Sequence, residues 1–166
     1  GYPEGVYRVG PLGRLNAVDQ IDTPLANAEL QRFKALNHGL PVENTLHYHY
    51  ARLIETLFAA ERARVLLEDP DILSTDIRNT HQEPHEQGVG VIEAPRGTLI
   101  HHYWVNAYGQ ISKANLIVAT GHNNYAMSKA VDDVAKTYVH GPDISEGMLN
   151  RVEHAIRAHD PCLSCS

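Results

Sequence analysis

A long amphipathic stripe most constrains the fold of this chain. Over residues 45–68, side chains with apolar surface recur at spacings of three and four, the period of one face of an α-helix. The stripe comprises Leu46, Tyr50, Leu53, Leu57, Ala60 and Arg64, and it is widened by Ile54, Phe58 and Val65. Asn44 is suited to cap this helix, and Asp69-Pro70 ends it because proline disfavours helical backbone in the preceding residue. Such a helix buries its apolar face against other elements, so the sequence predicts a folded and largely helical protein.

Three shorter helices are predicted around the long one. The first opens at Thr23-Pro24 and ends at His38-Gly39. The second covers roughly residues 123–139. The third begins after the N-cap Ser145 and stops before Asp160-Pro161. Each pairs an apolar stripe with a start or stop signal. Residues 1–23 and 70–90 are rich in glycine, proline and polar residues and are expected to be loops and connections.

Two β-rich runs interrupt the helical pattern at residues 98–105 and 111–120. The segment 106–110 between them is typical of a hairpin loop, with Gly109 placed for a positive φ. The fold class predicted is therefore mainly α, a helical bundle with a small antiparallel β hairpin or sheet.

Composition excludes several classes of partner. The net charge is −6 and no run of lysine or arginine occurs, which argues against nucleic acid as a partner. No apolar stretch approaches the roughly 20 residues that a membrane span needs. The chain starts at Gly1 rather than Met and stops at Ser166. We expect it to be a piece of a longer chain.

A C-x-x-C pair, Cys162 and Cys165, follows the last predicted helix. Two thiolates at this spacing can bind one metal ion. Four interpretations remain open: a redox dithiol, half of a structural zinc site, half of a catalytic metal site, or two incidental buried cysteines. The redox interpretation is disfavoured because a thioredoxin-like pair begins a helix inside a βαβ unit.

A short stiff turn, Glu93-Ala-Pro-Arg-Gly97, precedes the first predicted strand. Pro95 restricts its backbone, so Arg96 is held on an ordered segment and can donate paired hydrogen bonds to a carboxylate or an anionic ligand. The alternative is a surface arginine paired with Glu93.

Several motifs together carry a resemblance. They are Glu93-Ala-Pro-Arg-Gly-Thr-Leu99 with the following His-His-Tyr, Asn115-Leu-Ile-Val-Ala-Thr-Gly-His-Asn-Asn124, and the ending Asp160-Pro-Cys-Leu-Ser-Cys165. The chain resembles the C-terminal portion of the large subunit of a nickel–iron hydrogenase over nearly its whole length. Residues 2–9 and 48–55 are most similar to the cytoplasmic, bidirectional, NAD-reducing group.

The resemblance implies a ligand set for a nickel–iron centre whose iron carries cyanide and carbon monoxide, NiFe(CN)2CO. Cys162 would be a terminal nickel ligand, and Cys165 would bridge nickel and iron. The other C-x-x-C pair of the family belongs to an N-terminal motif that this sequence lacks. Pro95 and Arg96 match the loop that packs around the diatomic ligands.

Further site residues are implied in the same way. Ala119 and Thr120 match the position that hydrogen-bonds a cyanide, and Leu116 matches the residue whose carbonyl faces magnesium in many relatives. Asp160 matches the carboxylate that pairs with the loop arginine. Arg96, Asp160 and Cys162 are the implied catalytic residues.

The implied reaction is the reversible oxidation of H2 to protons and electrons. The implied partners are an iron–sulfur small subunit and a diaphorase module that holds FMN and meets NAD, all in the cytoplasm. The alternative function is a non-catalytic zinc-binding or assembly module that uses the terminal C-x-x-C. A quinone-binding relative without metal is disfavoured because the cysteine pair is retained.

Overall fold

The computed structural model describes residues 4–78, 80 and 85–164. Over these residues, five α-helices and three strands occur. They are α1 (Pro11–Ala17), α2 (Pro24–Ala35), α3 (His47–Leu67), β1 (Gln87–Ala94), β2 (Gly97–Val105), β3 (Ile111–Ile117), α4 (Ala119–Tyr138) and α5 (Glu146–Ala158), with a 3-10 turn at Pro70–Leu73. The predicted fold class, mainly helical with a small antiparallel sheet, is confirmed.

The core forms where α1, α2 and α3 meet, with the end of α5 packed against them. Its large buried members are Leu12, Leu15, Leu30, Phe33, Tyr48 and Ile54. The predicted stripe on α3 is only partly right. The fully buried face runs through Tyr48, Ala51 and Ile54, whereas Leu53 is 66% exposed. Apolar residues occupy more than one face of α3, and the sequence pattern alone does not select the face that packs.

The small sheet has the order β1-β2-β3, with both pairs antiparallel. The predicted hairpin loop at 106–110 joins β2 to β3, and Gly109 there has φ +74°. Strand β1 departs from the sequence prediction, which has connection at residues 70–90 and a loop from Glu93 to Gly97. Val89, Val91 and Ile92 favour a strand, but Gly88 and Gly90 interrupt that short signal, and the strand is defined by backbone pairing with β2.

Two helix starts also differ from expectation. Helix α1 lies within the segment 1–23 that was expected to be loop, and it begins at Pro11 after the left-handed Gly10. Helix α4 begins at Ala119, four residues earlier than predicted, because the backbone leaves the extended conformation directly after Val118. Ala119 and Thr120 therefore lie in the first turn of a helix rather than at the end of a strand.

The last helix matches its prediction. The Ser145 hydroxyl accepts a hydrogen bond from the N–H of Met148 and caps α5, which ends just before Asp160. In the described part of the chain, no helix is both long enough and apolar enough to cross a bilayer.

Candidate metal centre

Arg96 and Asp160 form the centre of the candidate site. Arg96 follows Pro95 in the two-residue turn between β1 and β2, and Asp160 follows the end of α5. Nε of Arg96 lies 3.2 Å from Oδ2 of Asp160, and the two side chains are 48% and 46% exposed. An ion pair this exposed contributes no more than about 1 kcal/mol to folding. Its contribution to stability does not explain why the chain brings these two groups together.

Asp160 occupies a backbone position that local preferences disfavour. Its φ is +50°, in the left-handed region that glycine or asparagine usually takes at the end of a helix. Its N–H donates to the carbonyl of Arg157 at 3.0 Å. A carboxylate here also lies at the negative end of the α5 dipole, where a cation is favoured. A residue that departs from both the backbone preference and the helix-dipole preference often marks a functional position.

The C-terminal motif is tied to the start of α4. Cys162 lies two residues after Asp160, so their Cα atoms are no more than about 7.6 Å apart. The N–H of Cys162 donates to Oγ1 of the buried Thr120 at 3.1 Å. Cys162 is half-buried, and its Sγ lies 3.6 Å from Oγ of Ser164. Cys165, the second predicted metal ligand, lies outside the described residues.

The segment at Val9 and Gly10 supports the turn that carries Arg96. A Cβ added at Gly10 would lie 2.7 Å from the carbonyl oxygen of Arg96, and one added at Gly97 would lie 2.4 Å from Cγ2 of Val9. Both glycines have positive φ, +93° and +138°. The close approach of the two backbones therefore requires glycine on each side.

Two buried side chains hold this segment in place. The Asn123 amide accepts from the N–H of Val9 at 2.9 Å and donates to its carbonyl at 3.3 Å. The hydroxyl of Tyr48 donates to the same carbonyl at 3.1 Å. The ring of Tyr48 also packs against that of His159, with centroids 4.9 Å apart. Since His159 directly precedes Asp160, Tyr48 links the two halves of the site.

His159 is a buried neutral base rather than a charged one. Burial lowers the pKa of its imidazole, and the positive charges of Arg8 and Arg52 lower it further. The hydrogen bond from Nδ1 to the carbonyl of Ala155, at 3.1 Å, opposes this shift. Nε2 is buried with no hydrogen-bond partner among the described residues.

Arg14, which sequence reasoning missed, donates all five of its N–H groups beside the Arg96 turn. Nε and Nη2 bind the two carboxylate oxygens of Glu55 at 2.6 and 2.7 Å. Nη1 binds Oε2 of Glu93 at 3.0 Å and the carbonyl of Ala94 at 2.8 Å, and Nη2 also binds the carbonyl of Pro95 at 2.9 Å. No local signal in the sequence marks it, because its partners Glu55, Glu93 and Pro95 are distant in the chain.

The other predicted site residues lie on neighbouring elements. Ala119 is buried beside Thr120 in the first turn of α4, and Pro95 is exposed at the β1–β2 turn. Leu116 is 50% exposed on β3, where its backbone pairs with His101. Among the residues that the structure describes, no three His, Cys, Asp or Glu side chains are grouped closely enough to hold a metal ion.

Comparisons with known proteins agree on one family. The model of the nickel-dependent hydrogenase family matches residues 1–166. The chain is 48% identical over 170 residues to the NAD-reducing hydrogenase HoxS subunit beta of Cupriavidus necator, covering 100% of this chain and 35% of that protein.

Solved structures with a similar fold are also hydrogenases. The fold superposes on an NAD+-reducing [NiFe]-hydrogenase in the H2-reduced state with a TM-score of 0.92, at 50% identity, covering 99% of this chain and 36% of that one. A [NiFeSe] hydrogenase from Desulfovibrio vulgaris Hildenborough gives a TM-score of 0.61 at 25% identity, covering 95% of this chain and 34% of that one. The chain thus spans about a third of the length of these relatives.

Proposed function

The chain belongs to the nickel-dependent hydrogenase family, and on that premise we propose that it forms the C-terminal portion of a large subunit that oxidises H2 reversibly to protons and electrons. The observation that carries this proposal is the ion pair between Arg96 and Asp160, two residues from Cys162. The pair joins the cation of the stiff turn to the residue two positions before Cys162.

The residues around this pair fit a nickel–iron centre. The thiolate of Cys162 is a soft ligand of the kind that suits nickel and low-spin iron. The N-cap of α4 is Val118, whose apolar side chain cannot cap the first turn, which contains Ala119 and Thr120. The first N–H groups of a helix lack intrahelical partners and attract anions, which suits a cyanide ligand. The guanidinium of Arg96 adds a positive charge on the side of Asp160.

Each residue then has a defined role in the proposal. Cys162 and Cys165 would hold the nickel–iron centre through their thiolates. When bound, the bimetallic centre supplies the chemistry that splits H2. Arg96 donates hydrogen bonds to anionic ligands and stabilises negative charge there. Asp160 fixes the orientation of the guanidinium through the contact between Nε and Oδ2.

The proton acceptor has two candidates among these residues. A thiolate at Cys162 is a base next to the metals. The guanidinium of Arg96 carries five donors and no acceptor atom, so it is poorly suited to accept a proton. We therefore assign proton acceptance to Cys162 and electrostatic stabilisation to Arg96.

The remaining assignments follow from similarity to the relatives. The carbonyl of Leu116 is the proposed contact for a magnesium ion. Because the relative from Cupriavidus necator is an NAD-reducing hydrogenase, we propose that electrons pass through an iron–sulfur small subunit to a diaphorase module that carries FMN and reduces NAD, in the cytoplasm. NAD and FMN bind to those partners and not to this chain.

Infrared spectroscopy and elemental analysis of the complete enzyme that contains this chain test the proposal. It predicts stretching bands of metal-bound cyanide and carbon monoxide, with nickel and iron near one each per large subunit beyond the iron of the small subunit. Zinc alone, without such bands, would instead support the zinc-binding or assembly function.

A further inference from the structure

Arg14 contacts the backbone on the N-terminal side of Arg96. It donates to the carbonyls of Ala94 and Pro95, the two residues that directly precede Arg96, at 2.8 and 2.9 Å. Gly10 packs against the carbonyl of Arg96 itself. The backbone is thus held by successive contacts from residue 94 to residue 96. The direction in which the Arg96 side chain leaves the turn is set by these contacts.

The guanidinium of Arg14 is itself held rigidly. Its paired hydrogen bonds to Glu55 anchor it to the middle of α3, whose neighbouring residue Ile54 is in the core. The side chains of Arg14 and Glu55 are only 22% and 25% exposed. Two parallel bonds between a guanidinium and a carboxylate fix orientation as well as distance. Arg14 and Glu55 therefore fix the position of the turn relative to the core of the helical bundle.

Arg14 and Glu93 keep their charges, so the ion pair between them persists near neutral pH. Burial disfavours the charged form of Arg14, but hydrogen bonds to Glu55 and Glu93 outweigh it and raise the pKa of the guanidinium above its ordinary value. Burial likewise disfavours the charged form of Glu93, but hydrogen bonds from Thr98 and Arg14 outweigh it and lower the pKa of that carboxyl. Arg14 and Glu93 therefore stay charged across the neutral range.

We propose that Arg14 is the positioning residue for Arg96: by holding the carbonyls of Ala94 and Pro95 against Glu55, it sets the guanidinium of Arg96 opposite Asp160. The inference rests on the proposed function, in which Arg96 stabilises anionic ligands at the metals. Arg14 acts through the turn and touches neither the metals nor H2. A displacement of about 1 Å can cost on the order of 100-fold in rate, so a residue that sets this placement matters for turnover.

A double-mutant cycle in the complete enzyme tests the inference. We expect Arg14→Gln to lower the kcat for H2 oxidation by roughly 10- to 100-fold, with little change in KM and with nickel content retained. The cyanide bands in the infrared spectrum should shift. In an Arg96→Lys background the same substitution should cost less than about twofold further, because the group that Arg14 positions is already lost.

Two further variants keep the test decisive. Arg14→Lys retains the charge but not the five-bond fork, so it should give a smaller loss and serves if Arg14→Gln does not assemble. Arg32→Gln, at a surface arginine that is 72% exposed, is the matched control and should leave kcat and the bands unchanged.

Three outcomes are distinguishable. A smaller effect in the Arg96→Lys background, with shifted bands, supports the inference. Equal losses in both backgrounds with unshifted bands overturn it and make Arg14 a purely structural residue, while the proposed function stands. Absence of nickel, cyanide bands and H2 oxidation in the unaltered enzyme overturns the proposed function, and the inference with it.

Discussion

Arg96 and Asp160 come from distant parts of the chain, yet Nε of the arginine lies 3.2 Å from Oδ2 of the aspartate. One residue leaves a β turn and the other leaves the end of a helix, and each is fixed by backbone contacts of its own. The pair is too exposed to contribute much to stability. Its proposed role is to orient a cation next to the metal ligands, and this role leads to the following predictions.

Arg96→Lys should lower turnover without removing the metals. Lysine keeps the positive charge but loses the planar fork, and losing one well-placed donor typically costs 100- to 1,000-fold in kcat, so we expect a loss of roughly that size. H2 oxidation assays and elemental analysis of the same preparation measure the two effects. Loss of nickel together with activity would contradict an electrostatic role and indicate a structural one.

Asp160→Asn should separate activity from stability. Asparagine suits a left-handed helix end and removes a negative charge from the unfavourable end of the α5 dipole, which offsets the lost ion pair. We expect the free energy of unfolding to stay within about 1 kcal/mol of the parent, while kcat falls roughly 10- to 100-fold.

Asp143→Asn, at an exposed aspartate before α5, is the matched control and should change neither quantity. If Asp160→Asn unfolds the protein or leaves kcat unaltered, the orienting role of the carboxylate is wrong.

Tyr48→Phe should cost about 0.5 to 1 kcal/mol of stability. The substitution removes the hydrogen bond to the carbonyl of Val9, but Asn123 still donates to that carbonyl, so the group is not left unpaired. Tyr108→Phe, at a tyrosine that is 88% exposed, should be neutral. Denaturant unfolding of both variants measures the difference, and equal effects would mean that the buried hydroxyl contributes nothing.

Protonation of His159 should lower the free energy of unfolding in acid. Burial lowers the pKa of this imidazole in the folded state, so the unfolded chain binds a proton more readily. This loss of unfolding free energy is absent above the unfolded pKa of about 6.5. It grows as the pH falls below that value and levels off below the lowered pKa of the folded state.

His159→Gln keeps a donor for the Ala155 carbonyl and does not titrate. Between pH 7 and pH 5, the free energy of unfolding of the parent should therefore fall more than that of this variant. A constant difference would show that His159 is not a buried neutral base.

Sequence reasoning succeeded where the signal is local. The hydroxyl of Ser145 caps the helix it was predicted to cap, and the stop at Asp160-Pro161 falls where expected, because capping and proline chemistry act within a few residues. The span of α3 was close to its predicted limits, but the predicted cap Asn44 was wrong: the N-cap is Leu46, and Oδ1 of Asn44 accepts a hydrogen bond from the N–H of Leu46 at 3.0 Å.

Features set by tertiary contacts were missed. β1 is defined by the pairing of its backbone with β2, and its two glycines interrupt the short β-branched signal of Val89, Val91 and Ile92. The buried face of α3 is chosen by α1 and α2 rather than by its own pattern. Arg14 could not be assigned a role, because its partners Glu55, Glu93 and Pro95 are distant in sequence.

The site residues were named from the resemblance, and the structure adds their arrangement. The contacts between Arg96 and Asp160 and between Cys162 and Thr120 join segments whose spacing in the sequence carries no distance information. The roles of these residues in metal binding and catalysis stay predictions.

Anomalous diffraction at the nickel edge, from crystals of the complete enzyme, tests the central claim most directly. We predict a nickel peak roughly 2.3 Å from Sγ of Cys162, the distance typical of a metal–thiolate bond, with the guanidinium of Arg96 facing the same centre and paired with Asp160. A zinc peak at Cys162, or nickel bound away from both Cys162 and Arg96, would contradict it.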